Sequence, residues 1–195
     1  MIKNLFLYLI IFVSALSFSN EIWAESKSSN KSGKVCENEY VLCTSAPCIP
    51  DPSNPDKKAI CKCEVNKGQN FGMSDCEARK PSTDSNGVTK ALSTYSFAQA
   101  PTKHLLTCPK GKPWTDCLDQ PCIVDQTNPL EAICTCKIVR DQSFVTYGGS
   151  CNTLTCDNAY WSAATLESFL DGSSTLVKAM GLGTIPAKFC PGMNP

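Results

Sequence analysis

The sequence predicts a small disulfide-rich α+β protein: two tandem six-cysteine β-containing modules followed by a short helical C-terminal segment. Three observations carry that expectation. Fourteen cysteines occupy a chain of 195 residues, which in an exported protein marks a covalent framework. Twelve of them fall into two sets of six embedded in matching text. After Cys156 the apolar residues change from alternation to helical spacing.

The chain opens with Lys3, an apolar run from Leu5 to Val13 and a stretch of small residues, the organisation of a secretory signal peptide over 1–24. The run is shorter than the roughly 20 residues that cross a bilayer, so no membrane span is expected in the mature chain. Ala24 suits cleavage, with Ser19 as an alternative end. The expected location is therefore secreted or periplasmic. Residues 25–35 read as a polar linker carrying an Asn30-Lys31-Ser32 glycosylation sequon, and with Cys36 the first cysteine, no lipid-modified N-terminal cysteine is expected. Eighteen Lys and Arg balance eighteen Asp and Glu. Without a basic excess, nucleic acid and anionic lipid are not expected partners.

The first module, 36–80, holds Cys36, Cys43, Cys48, Cys61, Cys63 and Cys76; the second, 108–153, holds Cys108, Cys117, Cys122, Cys134, Cys136 and Cys151. Between them "CTSAPCIPDPSNPDKKAICKCEV" is echoed by "CLDQPCIVDQTNPLEAICTCKIV", with one residue deleted before the second "AIC". Pro47 matches Pro121, Ile49 matches Ile123, Asp51 matches Asp125, and Asn54 matches Asn128. A unit of about 45 residues buries too little apolar surface to hold itself closed, so covalent staples are expected. Six cysteines allow about 15 pairings, and the order of the chain leaves the choice open within each set.

The repeated C-x-C narrows that choice. In a strand, residues two apart share a face. Ala59, Cys61, Cys63 and Val65 therefore point one way, and Ile60, Lys62 and Glu64 the other; Ala132, Cys134, Cys136 and Ile138 oppose Ile133, Thr135 and Lys137 in the same manner. Cysteines at i and i+2 have Cα atoms roughly 6.5–7 Å apart with parallel side chains, at or past the limit for bonding each other. Each C-x-C is expected to pin one central strand to two different partners.

Residues 81–107 read as a linker that begins as a Pro/Ser/Asn/Gly loop and alternates at Tyr95 and Phe97, which predicts a strand over 93–99 able to fuse the modules into one sheet. In 154–195, Leu166, Phe169 and Leu170 form one helical stripe ending at Gly172, and Leu176, Val177 and Met180 a second ending at Gly181. Two short helices closed by a Cys156–Cys190 pair are expected, lying as a lid across the modules.

Chemistry is sparse. A zinc site needs four converging thiolate or imidazole ligands, and the chain has one histidine, His104. No C-x-x-C occurs of the kind that lowers a thiol pKa at a helix start. Asp51, Ser53, Asn54 and Asp56 could face a hard cation, but the calcium-hand spacing is missing. The same residues are ordinary turn formers. No cofactor, metal or catalytic residue is assigned. The expected function is an exported, non-enzymatic, disulfide-stapled scaffold that presents loops to an unknown protein or small ligand. Tyr40 and Trp114 are its candidate contact residues, with Asp51, Asn54, Asp125 and Asn128 beside them. The alternative is an exported hydrolase or other enzyme using carboxylates or His104, and below that a thiol redox or metal-thiolate protein.

Overall fold

The computed structural model describes residues 32–148, 156 and 160–191. The expected leader, residues 25–31 of the polar linker and Cys151 lie outside the described residues. Strands dominate. β1 (Lys34–Leu42), β2 (Pro47–Pro50) and β3 (Lys58–Gly72) come from the first cysteine set. β4 (Ser82–Thr83), β5 (Thr89–Leu92) and β6 (His104–Cys108) come from the stretch between the sets. β7 (Trp114–Asp116), β8 (Pro121–Val124), β9 (Glu131–Val139) and β10 (Phe144–Gly148) belong to the second set; β11 (Tyr160–Ala163), α1 (Leu166–Met180) and β12 (Lys188–Phe189) complete the chain.

The two C-x-C segments are the inner strands of one nine-stranded sheet. They pair with each other, antiparallel, with Cys61 opposite Cys134, Ala59 opposite Cys136 and Cys63 opposite Ala132. Because Ala59, Cys61 and Cys63 are the counterparts of Ala132, Cys134 and Cys136, this register places a local two-fold axis between Cys61 and Cys134. β2 flanks β3 and β8 flanks β9 in the same register, Cys48 opposite Cys61 and Cys122 opposite Cys134. The loop before each C-x-C strand continues the pattern: Ile138 N–H donates to Lys57 O and Val65 N–H to Leu130 O, both at 2.9 Å. β11 pairs with β2 on one side and with β7 on the other. The ladder β3–β9–β7–β11–β2–β3 is thereby a closed ring.

Inside the ring the alternation expected from the sequence holds: Ala59, Cys61, Ala132, Cys134 and Cys136 are at most 1 % exposed. Four disulfides fill the interior. Cys43–Cys63 and Cys48–Cys61 correspond to Cys117–Cys136 and Cys122–Cys134. Each C-x-C strand thus bonds to two partners, as strand geometry demands. Two turns clasp the halves further. Ser45 and Asp119 occupy equivalent positions and both take positive φ, 60° and 55°. Ser45 Oγ accepts from Tyr147 N–H at 2.8 Å and donates to Tyr147 O at 2.5 Å. Asp119 Oδ2 accepts from Met73 N–H at 2.8 Å and Ser74 N–H at 2.9 Å. Gly72 makes that approach possible, since a Cβ there would lie 2.6 Å from Asp119 Oδ1.

Three expectations are corrected. Cys156 bonds to Cys108, not to Cys190. The segment after Cys156 does not close on itself, because β11 enters the large sheet and β12 enters a second sheet, β10–β6–β12. Cys190 is oxidised too, to a partner outside the described residues. The pair of short helices is one helix that passes through Gly172 and ends at Gly181 in the left-handed conformation, φ 65°. Gly172 is retained for contact: a Cβ would lie 3.0 Å from Phe71 and 3.3 Å from Tyr95. Last, the strand expected over 93–99 does not form: it is β5, ending at Leu92, that pairs with β8, while Ser93 and Tyr95 make only single bridges to Val41 and Phe71. The sheet is joined mainly by β3 and β9. A second core, around Phe71, Leu105, Val145, Phe169 and Leu176, lies where α1 meets the small sheet.

Candidate functional site

The staples determine what can face a partner. With Cys61, Cys63, Cys134 and Cys136 turned inward, the alternate residues of the same strands face outward, Lys58, Lys62, Glu64, Ile133, Thr135 and Lys137 exposed and Ile60 and Glu131 half-buried. Cys43 Sγ is 3.2 Å from Cys134 Sγ, and the dyad-related Cys117 Sγ is 3.7 Å from Cys61 Sγ. The four bridges are therefore one packed sulfur layer under the sheet. Sγ atoms of Cys43, Cys122 and Cys134, and of Cys43, Cys117 and Cys136, lie within 4.8 Å of one another. That spacing suits a soft metal, but every one of these sulfurs is half of a disulfide, and thiolate is the form that ligates.

The aspartate loops sit at opposite ends of the β3–β9 pair and are built alike. Asp51 Oδ1 accepts from Ser53 N–H at 2.9 Å and Ser53 Oγ at 2.7 Å; Asp125 Oδ1 accepts from Thr127 N–H and Thr127 Oγ1, both at 2.7 Å. Those bonds hold both carboxyls below the ordinary aspartate value, the side-chain hydroxyl contributing most. Asn54 N–H donates to Asp51 O, and Asn128 N–H to Asp125 Oδ1. These are side-chain-closed turns. The first loop overhangs an open groove of ≈ 550 Å³ lined by Asn54, Lys57, Lys58, Pro121, Thr135 and Lys137 among others.

The aromatic contact residues are misplaced by sequence reasoning. Tyr40 and Trp114 are 2 % and 1 % exposed. Tyr40 donates to Ser96 Oγ at 2.8 Å, and Trp114 stacks on Phe144 at 5.6 Å. Both lie on the side of their strands away from the sulfur core, since Val41 and Thr115 stand opposite the inward Val65 and Ile138; cover from elsewhere in the chain takes them out of reach of a ligand. Sequence reasoning missed the outward isoleucines, Ile49, Ile60, Ile123 and Ile133. The signal was present: "AIC" and "PCI" repeat an apolar residue at the position alternation assigns to solvent.

For catalysis, His104 begins β6, opposite Gly148 and Lys188. Asp116 and Asp119 lie close enough to influence each other, with Asp116 held above its ordinary value chiefly by burial. The cavity between α1 and the small sheet is ≈ 30 Å³ and lined mainly by apolar side chains such as Leu105, Val145 and Leu176, room for water and not for a substrate. Comparison with protein-family models, curated proteins and solved structures finds no match. Function must therefore be argued from the residues themselves.

Proposed function

We propose that this chain is an exported, non-enzymatic scaffold whose stapled sheet presents its outer face and aspartate loops to a protein or small ligand. One observation carries the proposal: four disulfides lie directly beneath strands whose outer face exposes Ile49, Ile123 and Ile133 among charged side chains. A face fixed this way loses little freedom on binding, which is where pre-organised surfaces gain affinity. Export is supported by the disulfides, which form and persist in oxidising compartments, and by the apolar N-terminal run. Isolating the protein in fully oxidised form from the secreted or periplasmic fraction tests that part.

The binding part is tested by photo-crosslinking side chains placed at Ile49, Ile123, Ser53 or Thr127, with Lys178 on the helix as the control. Crosslinks to a discrete partner are expected from the face and loops and not from the control. Equal yields at Lys178, or none anywhere, overturn the proposal. The runner-up is an exported enzyme using Asp116 and Asp119, favoured by the raised Asp116 carboxyl. Loss of a measurable hydrolytic activity in D116N with the fold intact would put it first.

A further inference from the structure

We infer that the outer face of the paired C-x-C strands docks a second copy of this chain, in a two-fold dimer that lays the basic end of one face on the acidic end of the other. The inference rests on the scaffold proposal above and names its partner.

The face has an apolar middle. Ile49, Ile60, Ile133 and Ile123 stand on β2, β3, β9 and β8, consecutive strands of the sheet, with Ile49 opposite Ile60 and Ile123 opposite Ile133. Ile49, Ile123 and Ile133 are 65 %, 52 % and 45 % exposed. Single exposed isoleucines are ordinary. Three, joined by the half-buried Ile60 into one band across hydrogen-bonded strands, form a patch of the kind that marks an interaction site.

Its ends are charged, with opposite sign. Lys58 stands directly opposite Lys137, and six residues along the same ladder Glu64 stands opposite Glu131. The two levels are roughly 20 Å apart at strand rise. Like charges facing each other across strands are destabilising, and here both ends of one ladder carry such a pair. The repeat does not impose this. The local dyad exchanges Lys58 with Glu131 and Glu64 with Lys137, so the substitutions have segregated charge where the backbone is symmetric. Neighbouring charges leave the segregation intact. At the first end Lys57 and Arg140 are offset by Asp51 and Asp56, and Asp116 stands opposite Lys137, leaving a net of +1; at the other, Lys62 pairs with Glu131 at 2.8 Å, Asp125 adds a negative charge and Lys90, opposite Ile123, a positive one, leaving −1.

A face that is basic at one end, apolar in the middle and acidic at the other is complementary to itself after a half-turn. That is the requirement for an isologous two-fold interface. Docking would bring Glu64 and Glu131 of one copy to Lys58 and Lys137 of the other, relieving both like-charge pairs, with the groove at the basic end receiving them. A face that carries both signs in equal measure offers no net charge to a purely acidic or basic partner. Four strands and six residues of ladder cover about 400 Å² per copy, below the roughly 800 Å² per partner of a standard specific interface. The dimer is thus expected to be weak.

Sedimentation equilibrium of the oxidised full-length mature protein, from about 1 to about 500 µM, tests this. Wild type is expected to dimerise in that range, less so in high salt. K58E/K137E makes both ends acidic and E64K/E131K makes both basic. Each variant alone is expected to be monomeric, with at least a tenfold weaker association, and an equimolar mixture to dimerise again. Unchanged thermal unfolding of each variant under non-reducing conditions verifies its fold. A wild type that stays monomeric, variants that dimerise like it, or a mixture that fails to recover all overturn the dimer. If wild type is monomeric while crosslinks from Ile49 or Ile123 still reach another molecule, the dimer falls and the scaffold proposal stands.

Discussion

The first cysteine set keeps its strands long, whereas the second breaks them, although the inner staples are the same. β1 and β3 pair without interruption from Lys34–Gly72 to Leu42–Glu64. In the second set the counterpart of β1 keeps only Trp114–Asp116 on β9, and the outer parts leave as β6 and β10 to form another sheet. The cause lies between the first two cysteines of each set. Six residues separate Cys36 from Cys43, but eight separate Cys108 from Cys117, including Pro109, Gly111 and Pro113. Prolines cannot donate to a ladder, and Gly111 takes φ 94° with its N–H on Arg140 O. The difference teaches that the C-x-C text specifies the shared sulfur core, while the flanks decide what is built around it. By diverging, the second set creates the small sheet on which α1 rests.

The largest test of that division compares the outer bridges. Cys36–Cys76 closes a loop of sequence separation 40 and Cys108–Cys156 one of 48. By chain entropy each contributes about 4 kcal/mol. C36A/C76A and C108A/C156A are expected to lose similar stability in non-reducing urea denaturation but in different places. Hydrogen exchange should rise along β1 in the first and along β6 and β10 in the second, with β3 and β9 protected in both. Loss of protection in the C-x-C strands of either variant would make the sulfur core dependent on its flanks.

Next come the reciprocal clasps. D119A removes a carboxylate that accepts two backbone N–H groups and leaves a non-glycine residue at positive φ, so a cost of about 3 kcal/mol is expected. S45A should cost about 2 kcal/mol, because Tyr147 N–H and C=O lose their partner in a buried setting. Urea midpoints measured on both variants rank them. The reverse order would mean that the second sheet, and not the β3 end, is the tighter of the two clasped regions.

A smaller effect is expected at α1, which leans on Phe71 of the first set. G172A gains about 1 kcal/mol of helix propensity. It must also force a methyl into 3.0 Å contact with Phe71, an overpacking that costs about 1–3 kcal/mol. A net loss of about 1 kcal/mol in thermal unfolding is expected. A gain would show that the second core has slack to move.

Much of the sheet was legible because period-two alternation is local: "AICKCEV" and "AICTCKI" state which side is sulfur. Less was legible where the answer depends on residues distant in sequence. Nothing near Cys156 says that β11 will be drawn between β2 and β7, so pairing Cys156 with Cys190 followed only from their being the two cysteines left outside the repeats. Gly172 reads as a helix stop until Phe71 is placed beside it. Tyr40 and Trp114 looked available because aromatics beside cysteines suit either a core or a contact, and only the cover that Ser96 and Phe144 lay over them decides between the two. The charge segregation of the outer face was written in the sequence, but its meaning required the β3–β9 register.

The smallest expected effect lies at one position where the halves differ in chemistry. Leu42 is 1 % exposed in the first set, and its counterpart is Asp116. Burial raises the Asp116 carboxyl, the neighbouring Asp119 charge adds to that, and the Leu118 N–H and Lys137 offset only part. A carboxyl whose folded value lies above its unfolded one binds more protons when folded. Its favourable contribution is present below the unfolded value and is lost as pH rises through the folded one. D116N cannot ionise, yet its amide oxygen can still accept from Leu118 N–H. The variant is therefore expected to match wild type in acid and to be more stable at neutral pH, the gain appearing as pH climbs past the ordinary aspartate range. Thermal unfolding of both proteins across that range measures it. A variant less stable at neutral pH would place the attraction of Lys137 ahead of burial, and would make this departure from the first set a stabilising ion pair instead of a tolerated charge.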